Sequence, residues 1–180
     1  MSRLAIIERA QAQGPAADLL AAVQKALGVT PNMTKVMANS PAVLKGYLEF
    51  SGALAAGTLP AAVREGIALT VAQENACDYC LSAHTYIATN LAGLSPEQAT
   101  AARRAESADG RTHAALKLAA ALVRTRGELD DTDLKSAHAA GLSDAEVAEV
   151  IANVALNLFT NYFNKAAAVD IDWPEVSHLS

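Results

Sequence analysis

The stretch that decides the fold is EGIALTVAQENACDYCLSAHTYIA, residues 65–88. Small and apolar side chains fill its first half and return in its second half, and the short ENA connection, residues 74–76, separates the two. Apolar residues that recur at spacings of three and four are typical of helices. The stretch therefore predicts an antiparallel helical hairpin, with one helix at about 60–74 and the next at about 77–92.

The remainder of the chain also has residues typical of helix starts and helix ends, and it has no strand pattern. Ser95 and Ser143 each stand three residues before Gln or Glu, which is the pattern of an N-terminal capping box. Glycines that follow apolar segments, a common way for helices to end, are Gly28, Gly93, Gly127 and Gly141. Further helices are expected at about 16–28, 41–56, 96–105, 111–126, 131–140 and 144–166. We predict an all-α helical bundle of about eight helices.

Composition limits the class of protein. The 180 residues are 52% hydrophobic but only 4% aromatic, so the core must be built from many small side chains, and we expect a single domain over residues 1–180. A net charge of -5 argues against a nucleic-acid partner or an anionic membrane surface. The N-terminal stretch MSRLAIIERAQAQG has too short an apolar run for a secretory signal or a membrane span. We expect a cytoplasmic protein with an irregular C-terminal tail.

The helix at about 144–166 is apolar on two faces. One face carries Val147, Val150, Ile151, Val154 and Leu158, and the other carries Leu156, Phe159 and Phe163. Such a helix is either central in one core or shared between subunits. Because aromatic residues are scarce elsewhere, we expect a homo-oligomer, at least a trimer, with Phe159 or Phe163 at or near a subunit contact.

The only two cysteines lie in the second half of the hairpin. Cys77, Cys80 and His84 are separated by three and four residues, which places them on one face of a helix. The α-carbons of cysteines three apart on a helix are about 5 to 6 Å apart, a separation that a disulfide accepts. The Cys-x-x-Cys pair is therefore suited to reversible oxidation.

Glu65 and His84 lie at similar distances from the turn of the hairpin, so they can face each other. A carboxylate opposite an imidazole orients it and supports its protonated form. A cysteine thiol with an ordinary pKa near 8.5 is mostly protonated at neutral pH, so a reactive one needs a base or a positive field. The field of the helix N-terminus is strongest at Cys77, whereas the base is nearest Cys80. These local arguments leave open which cysteine attacks.

Other interpretations of the pair compete with redox catalysis. A zinc site would use Cys77, Cys80 and His84, but no second pair of ligands completes a tetrahedron. Two inert core thiols, or a redox-sensing module without turnover, are further possibilities. His113, His138 and His178 lack comparable neighbours and are interpreted as surface or helix-end residues.

The four candidate residues form a specific pattern in the sequence: Glu65 is followed after eleven residues by Cys77, after two more by Cys80 and after three more by His84. It resembles the alkylhydroperoxidase D-like branch of the carboxymuconolactone decarboxylase family. The motif covers about residues 58–93, and the ending NLFTNYFNKAAAVDIDWP extends the resemblance from near residue 30 to 175. The family pattern has a histidine between the cysteines of its best-known peroxidase, and this sequence has Tyr79 there, which puts proton transfer and substrate preference in question.

The resemblance implies an all-helical subunit that assembles as a homotrimer or homohexamer and reduces hydroperoxides with two cysteines. It implies that Cys80 attacks the peroxide, that Cys77 resolves the product into a disulfide, and that His84 is the base with Glu65 as its relay partner. An external dithiol, from a lipoyl domain or a thioredoxin-like protein, would reopen the disulfide. No haem, metal or other cofactor is expected. A protein thiol-disulfide oxidoreductase is the alternative enzyme.

Overall fold

The computed structural model describes residues 1–179. Over this range the chain forms nine helices and no strand, which confirms the all-α prediction. The helices are α1 (Gly14–Leu27), α2 (Asn32–Met37), α3 (Pro41–Ala55), α4 (Ala61–Glu74), α5 (Asp78–Asn90), α6 (Pro96–Ala102), α7 (Gly110–Thr125), α8 (Asp131–Ala139) and α9 (Asp144–Ala167).

The helix that sequence analysis missed is α2. It follows Pro31 and has only six residues, too few for a periodic apolar pattern to show. Thr34, Val36 and Met37 are nevertheless buried, so packing against the rest of the protein stabilises this short element. The segment after α9 is irregular, as predicted.

The predicted helix starts at α6 and α9 are correct in detail. Ser95 and Gln98 form a complete capping box, and so do Ser143 and Glu146. At the end of α7 the structure differs from the prediction, because Arg126 rather than Gly127 is the left-handed residue that directly follows the helix, with φ 58°.

Helix α4 is the centre of the fold. Its residues from Gly66 to Ala72 are all buried, and it packs against α5, α7 and α9. A Cβ atom at Gly66 would lie 3.1 Å from Cδ2 of Leu116 on α7, so glycine permits the close approach of these two helices. A helix that is buried all round has no solvent-facing stripe, and its position fixes those of its neighbours.

Two hydrophobic clusters fill the interior. The larger surrounds α4, and the smaller joins α1, α2 and α3 around Leu20, Met37 and Leu44. Met33 and Phe163 pack against both clusters and connect them. The assignment of residues 1–180 to a single domain stays a prediction.

The apolar residues of α9 are not all buried in the structure. Val147, Val150 and Val154 are buried, but Ile151 is 44% exposed. Phe159 is 39% exposed, and its ring centroid lies 6.2 Å from that of Phe163. A subunit contact at these rings, in a trimer or a hexamer, stays a prediction. No helix among residues 1–179 is long and apolar enough to cross a membrane.

The start of α9 yields a prediction about acid stability. Oε2 of Glu146 accepts hydrogen bonds from the backbone N and Oγ of Ser143, and the carboxylate also pairs with Arg111 on α7. These hydrogen bonds and the guanidinium lower the pKa of Glu146 to about 2. A carboxyl whose pKa is depressed on folding stabilises the protein above its unfolded pKa, and this contribution disappears as the pH falls through the folded value.

We therefore expect Glu146→Gln to lower the melting temperature at neutral pH, with a difference from the unmodified protein that narrows as the pH falls from about 5 towards 2. Thermal unfolding followed by circular dichroism at several pH values measures this. Glu128→Gln is the matched control, because Glu128 is exposed in the connection before α8. A Glu146→Gln difference that stays constant down to pH 3 would contradict the prediction.

Candidate active site

The α4–α5 hairpin brings Glu65 and His84 together. Oε2 of Glu65 lies 2.8 Å from Nδ1 of His84, and both side chains are largely covered. The sequence-based expectation that these two residues face each other is thus met by the geometry. The hydrogen bond occupies Nδ1, so Nε2 is the ring nitrogen that can exchange a proton with a bound molecule.

The charge of Glu65 decides the protonation state of His84. Burial alone would lower the pKa of the imidazole, but the adjacent carboxylate and its hydrogen bond outweigh that effect and raise the pKa above 6.5. The imidazolium therefore persists to a higher pH than in a free imidazole, and it is lost as the pH rises through the raised value. His84 can act as a proton donor.

The turn between the two helices fixes the backbone of Cys77. Ala76 is left-handed, with φ 47°, and its N donates to O of Gln73 at 3.1 Å. The N of Cys77 donates to O of Ala72 at 2.9 Å. These two bonds form a Schellman motif at the end of α4, with alanine in the position that glycine usually takes. The first cysteine is thereby attached directly to the end of the central helix.

The two thiols lie against each other. Sγ of Cys77 is 2.7 Å from Sγ of Cys80, both cysteines are free, and they are 1% and 2% exposed. The predicted helix 77–92 begins one residue later than expected, because Cys77 has extended backbone angles and is the N-cap of α5. Only Cys80 lies within the helix.

The contact between the two sulfurs shifts the pKa values of the two thiols in opposite directions. The hydrogen bond from the Cys80 thiol lowers the pKa of Cys77, and the positive charges of His84 and Lys165 act in the same direction. Burial raises the pKa of Cys80 well above its ordinary value. Of the two thiols, Cys77 is therefore the one that ionises first.

Helix α9 supplies polar groups to the thiols that sequence analysis missed. Nδ2 of Asn164 lies 3.3 Å from Sγ of Cys80 and 3.3 Å from Sδ of Met33. The backbone O of Asn161 lies 3.9 Å from Sγ of Cys77. Asparagines at spacings of three and four on one helix were a signal in the sequence, and the buried members are Asn153, Asn157, Asn161 and Asn164.

Tyr79, the residue between the cysteines, is a structural anchor. Its hydroxyl donates to Oδ1 of Asp172 at 2.9 Å and accepts from the backbone N of Met33 at 3.0 Å. Burial raises the pKa of this hydroxyl. Tyr79 therefore ties α5 to α2 and to the C-terminal segment, and it remains neutral.

A cavity of about 200 Å³ opens next to the second cysteine. Cys80, Glu65 and His84 line it, whereas Cys77 does not. Tyr47 of α3, which the sequence did not single out, also lines it, and burial together with the charges of Glu65 and Cys80 raises the pKa of its hydroxyl to about 12. Apolar residues of the wall are Leu27, Pro31, Met33, Leu54, Ile87 and Leu156.

The opposite pKa shifts of Cys77 and Cys80 lead to a prediction about thiol titration. We expect the reduced protein to form one thiolate at a pH below the ordinary cysteine pKa of about 8.5. Cys80→Ser should keep this titration, since a serine hydroxyl can still donate to Cys77. Cys77→Ser should abolish it and leave a thiol that titrates above the ordinary value. Ultraviolet absorbance of the thiolate measures both, and the reverse pattern would assign the charge to Cys80.

The chain resembles known proteins in sequence over part of its length and in fold over nearly all of it. The sequence profile of the carboxymuconolactone decarboxylase family matches residues 41–124, which include α3, α4, the cysteine pair and nearly all of α7. No curated protein matches the chain by sequence.

Solved structures match nearly the whole chain. An alkylhydroperoxidase AhpD core, an uncharacterized peroxidase-related protein from Ralstonia eutropha JMP134, is 22% identical with a TM-score of 0.85, covering 95% of this chain and 92% of that one. An uncharacterized peroxidase-related protein from Silicibacter sp. TM1040 is 23% identical with a TM-score of 0.81, covering 94% and 91%.

A third structure is a cysteine-to-alanine variant of the debrominase Bmp8 in complex with 2,3,4-tribromopyrrole. It is 21% identical with a TM-score of 0.80 and covers 96% of this chain and 94% of that one. Identities this low show a shared fold. The chain matches the carboxymuconolactone decarboxylase family over residues 41–124, and it has the fold of these peroxidase-related structures.

Proposed function

We propose that this protein is a thiol-dependent peroxidase that reduces hydroperoxides with Cys80 and Cys77. The observation that carries the proposal is the composition of one cavity. It presents the thiol of Cys80 beside the ion pair of Glu65 and His84, and a second thiol lies 2.7 Å behind the first. A nucleophile, a proton donor and a resolving thiol are the groups that such a reaction needs.

Access and charge favour different cysteines, and access supports Cys80 as the attacking one. A molecule in the cavity meets Cys80, because Cys77 lies outside the lining. Cys77 is the thiol that ionises first, so its thiolate can accept the proton of Cys80 across the short distance between the sulfurs. The transfer leaves a thiolate on Cys80 where the substrate binds.

The peroxide step then balances with groups already present. The Cys80 thiolate attacks the distal oxygen of the hydroperoxide, a sulfur–oxygen bond forms and the oxygen–oxygen bond breaks. The His84 imidazolium gives its proton to the leaving alkoxide. The products are an alcohol, a sulfenic acid on Cys80 and a neutral His84, which regains its proton from water.

Resolution uses the neighbouring thiol. Sγ of Cys77 displaces hydroxide from the sulfenic acid of Cys80, which leaves as water with the thiol proton, and a disulfide forms. An external dithiol reduces this disulfide by exchange and is itself oxidised to a disulfide. A lipoyl domain or a thioredoxin-like protein would supply that dithiol. No step requires a group beyond the chain, the peroxide and the dithiol.

The alternatives fit the geometry less well. The thiols are 1% and 2% exposed, so any protein partner, whether a disulfide substrate or the recycling dithiol, has to reach Cys80 through the cavity, which a small peroxide enters directly. For a metal-binding module, residues 1–179 contain no group of three or more His, Cys, Asp or Glu side chains that could hold an ion.

Reductive dehalogenation is a second candidate, and the size of the cavity is the observation that favours it. A dry cavity of about 150 Å³ accepts benzene, so about 200 Å³ beside Cys80 can hold a small substituted ring. In this reaction the Cys80 thiolate would take a halogen from the ring carbon, which gains a proton. Cys77 would then displace halide and form the disulfide. The debrominase Bmp8 shares this fold.

The deciding experiment is a screen of substrates and reductants with the pure protein. Peroxide consumption is followed with dihydrolipoamide or thioredoxin as the dithiol, and halide release is followed with bromopyrroles in parallel. We expect catalytic peroxide consumption that requires a dithiol and both cysteines. Halide release without peroxide turnover would select the second candidate, and turnover in neither assay would refute both.

The roles of the two cysteines can be separated by chemical trapping. In the Cys77→Ser variant, peroxide should leave a sulfenic acid on Cys80 that a dimedone-type probe labels, because no resolving thiol remains. The Cys80→Ser variant should consume no peroxide and remain unlabelled. Mass spectrometry of the labelled peptide makes the assignment. Labelling of Cys77 in the Cys80→Ser variant would show that charge, and not access, determines which thiol attacks.

The proton relay gives a prediction with a matched control. Glu65→Gln removes the charge that raises the pKa of His84, so the alkaline limit of the pH–rate profile should move to lower pH. Loss of one positioned acid–base group typically costs about 10²- to 10⁴-fold. We expect Glu65→Gln and His84→Phe each to slow the peroxide step at least about tenfold, and the double variant to be little slower than the worse single one.

Glu74→Gln serves as the control for the relay. Glu74 ends α4, only nine residues from Glu65, but its carboxylate pairs with Arg124 on α7 and it does not line the cavity. Its substitution should leave the pH–rate profile in place. Equal slowing by Glu74→Gln, or effects of Glu65→Gln and His84→Phe that multiply, would show that these two residues do not act as one unit.

A further inference from the structure

The side chain of Asn164 is a hydrogen-bond donor that points at the proposed nucleophile. Its Nδ2 lies 3.3 Å from Sγ of Cys80, and the residue is only 3% exposed. Donation from an amide to a neutral thiol is weak, but donation to a thiolate is charge-assisted and roughly twice as strong. The contact therefore gains strength when Cys80 loses its proton.

Asn161 contributes an unsatisfied donor beside the same pair of sulfurs. This residue is fully buried, its Oδ1 accepts from Nδ2 of Asn75 at 3.1 Å, and that bond fixes the orientation of the amide. Among residues 1–179, Nδ2 of Asn161 has no hydrogen-bond partner. A buried N–H group without a partner costs free energy, so this donor is available to an anion that forms beside it.

The two amides lie on one helix and act on the same sulfur. Asn161 and Asn164 are three residues apart on α9, which places them on the face towards the start of α5. Burial raises the pKa of Cys80, whereas both amides act to lower it. Within the described residues 1–179, the hydrogen-bond contacts of this thiol are the Cys77 sulfur and the Asn164 amide, so neutral N–H donors are the groups available to stabilise an anion there.

We infer that the side-chain amides of Asn161 and Asn164 form an anion site for the sulfur of Cys80. The site stabilises the thiolate after its proton has moved to Cys77, and then the sulfenate oxygen that peroxide leaves on it. In the resting state the proton on Cys80 leaves the Asn161 donor without a partner. The inference rests on the proposed function for its purpose, but the anion site itself is a property of the thiol in the absence of substrate.

The test measures the reactivity of Cys80 without peroxide. In a Cys77→Ser background, Cys80 is the only thiol, and its rate of alkylation by iodoacetamide as a function of pH gives its pKa. Each lost donor should raise that pKa by about one unit, which is a tenfold loss of thiolate at a fixed pH below it. Asn161→Leu and Asn164→Leu remove the donors but keep the branching and the number of heavy atoms of the side chain.

Asn157→Leu is the matched control. Asn157 is a buried asparagine one turn earlier on α9, and its Nδ2 donates to O of Asn153, not to sulfur. Its replacement disturbs the same helix but should leave the pKa of Cys80 unchanged. An equal shift in Asn157→Leu, or no shift in either Asn161→Leu or Asn164→Leu, would overturn the inference.

A second variant covers the case in which a leucine is not tolerated. Asn164→Asp keeps the shape and polarity of the side chain but places an acceptor at the sulfur, so it should raise the pKa of Cys80 further than Asn164→Leu. Circular dichroism confirms that each variant is folded. A pKa of Cys80 in Asn164→Asp equal to that in the background protein would refute the anion site. A shifted pKa of Cys80 in a protein that turns over no peroxide would support the anion site and count against the proposed function.

Discussion

The complete burial of α4 is the constraint on which the rest of the structure depends. From Gly66 to Ala72 this helix has no exposed side, so α5, α7 and α9 must all pack on it. Glu65 lies just before the buried stretch, and the cysteine pair follows just after the helix ends. Because the helix cannot shift without disturbing three neighbours, the distance between the acid–base pair and the thiols is held by the core itself.

Within that frame the two cysteines separate functions that a single reactive thiol would have to combine. Cys77, at the N-cap of α5, is placed where a negative charge is stabilised, and Cys80 is placed where a small molecule can reach it. A short sulfur–sulfur distance connects the two. Burial that raises the pKa of Cys80 favours its protonated form, which is the less reactive form of a thiol.

The sequence was informative where the contacts are local. The capping boxes of α6 and α9 follow from short local motifs. The hairpin and the meeting of Glu65 with His84 follow from helical periodicity, because these two residues are 19 positions apart on neighbouring helices. The amides of α9 and Asp172 reach the site across 84 and 93 positions of the chain. No periodic pattern encodes such contacts, since they depend on how helices cross in three dimensions. The short helix α2 was not predicted from the sequence for a related reason: packing, and not helix propensity, stabilises it.

Several wall residues of the cavity come from segments that lie outside the α4–α5 hairpin. Leu27 belongs to α1, Tyr47 to α3 and Trp173 to the segment after α9, where its ring lies 5.4 Å from that of Tyr86. Substitutions in these walls can change the shape of the cavity while the hairpin keeps its geometry. The shape of the cavity can therefore be altered through peripheral segments, whereas the hairpin itself depends on its packing against α7 and α9.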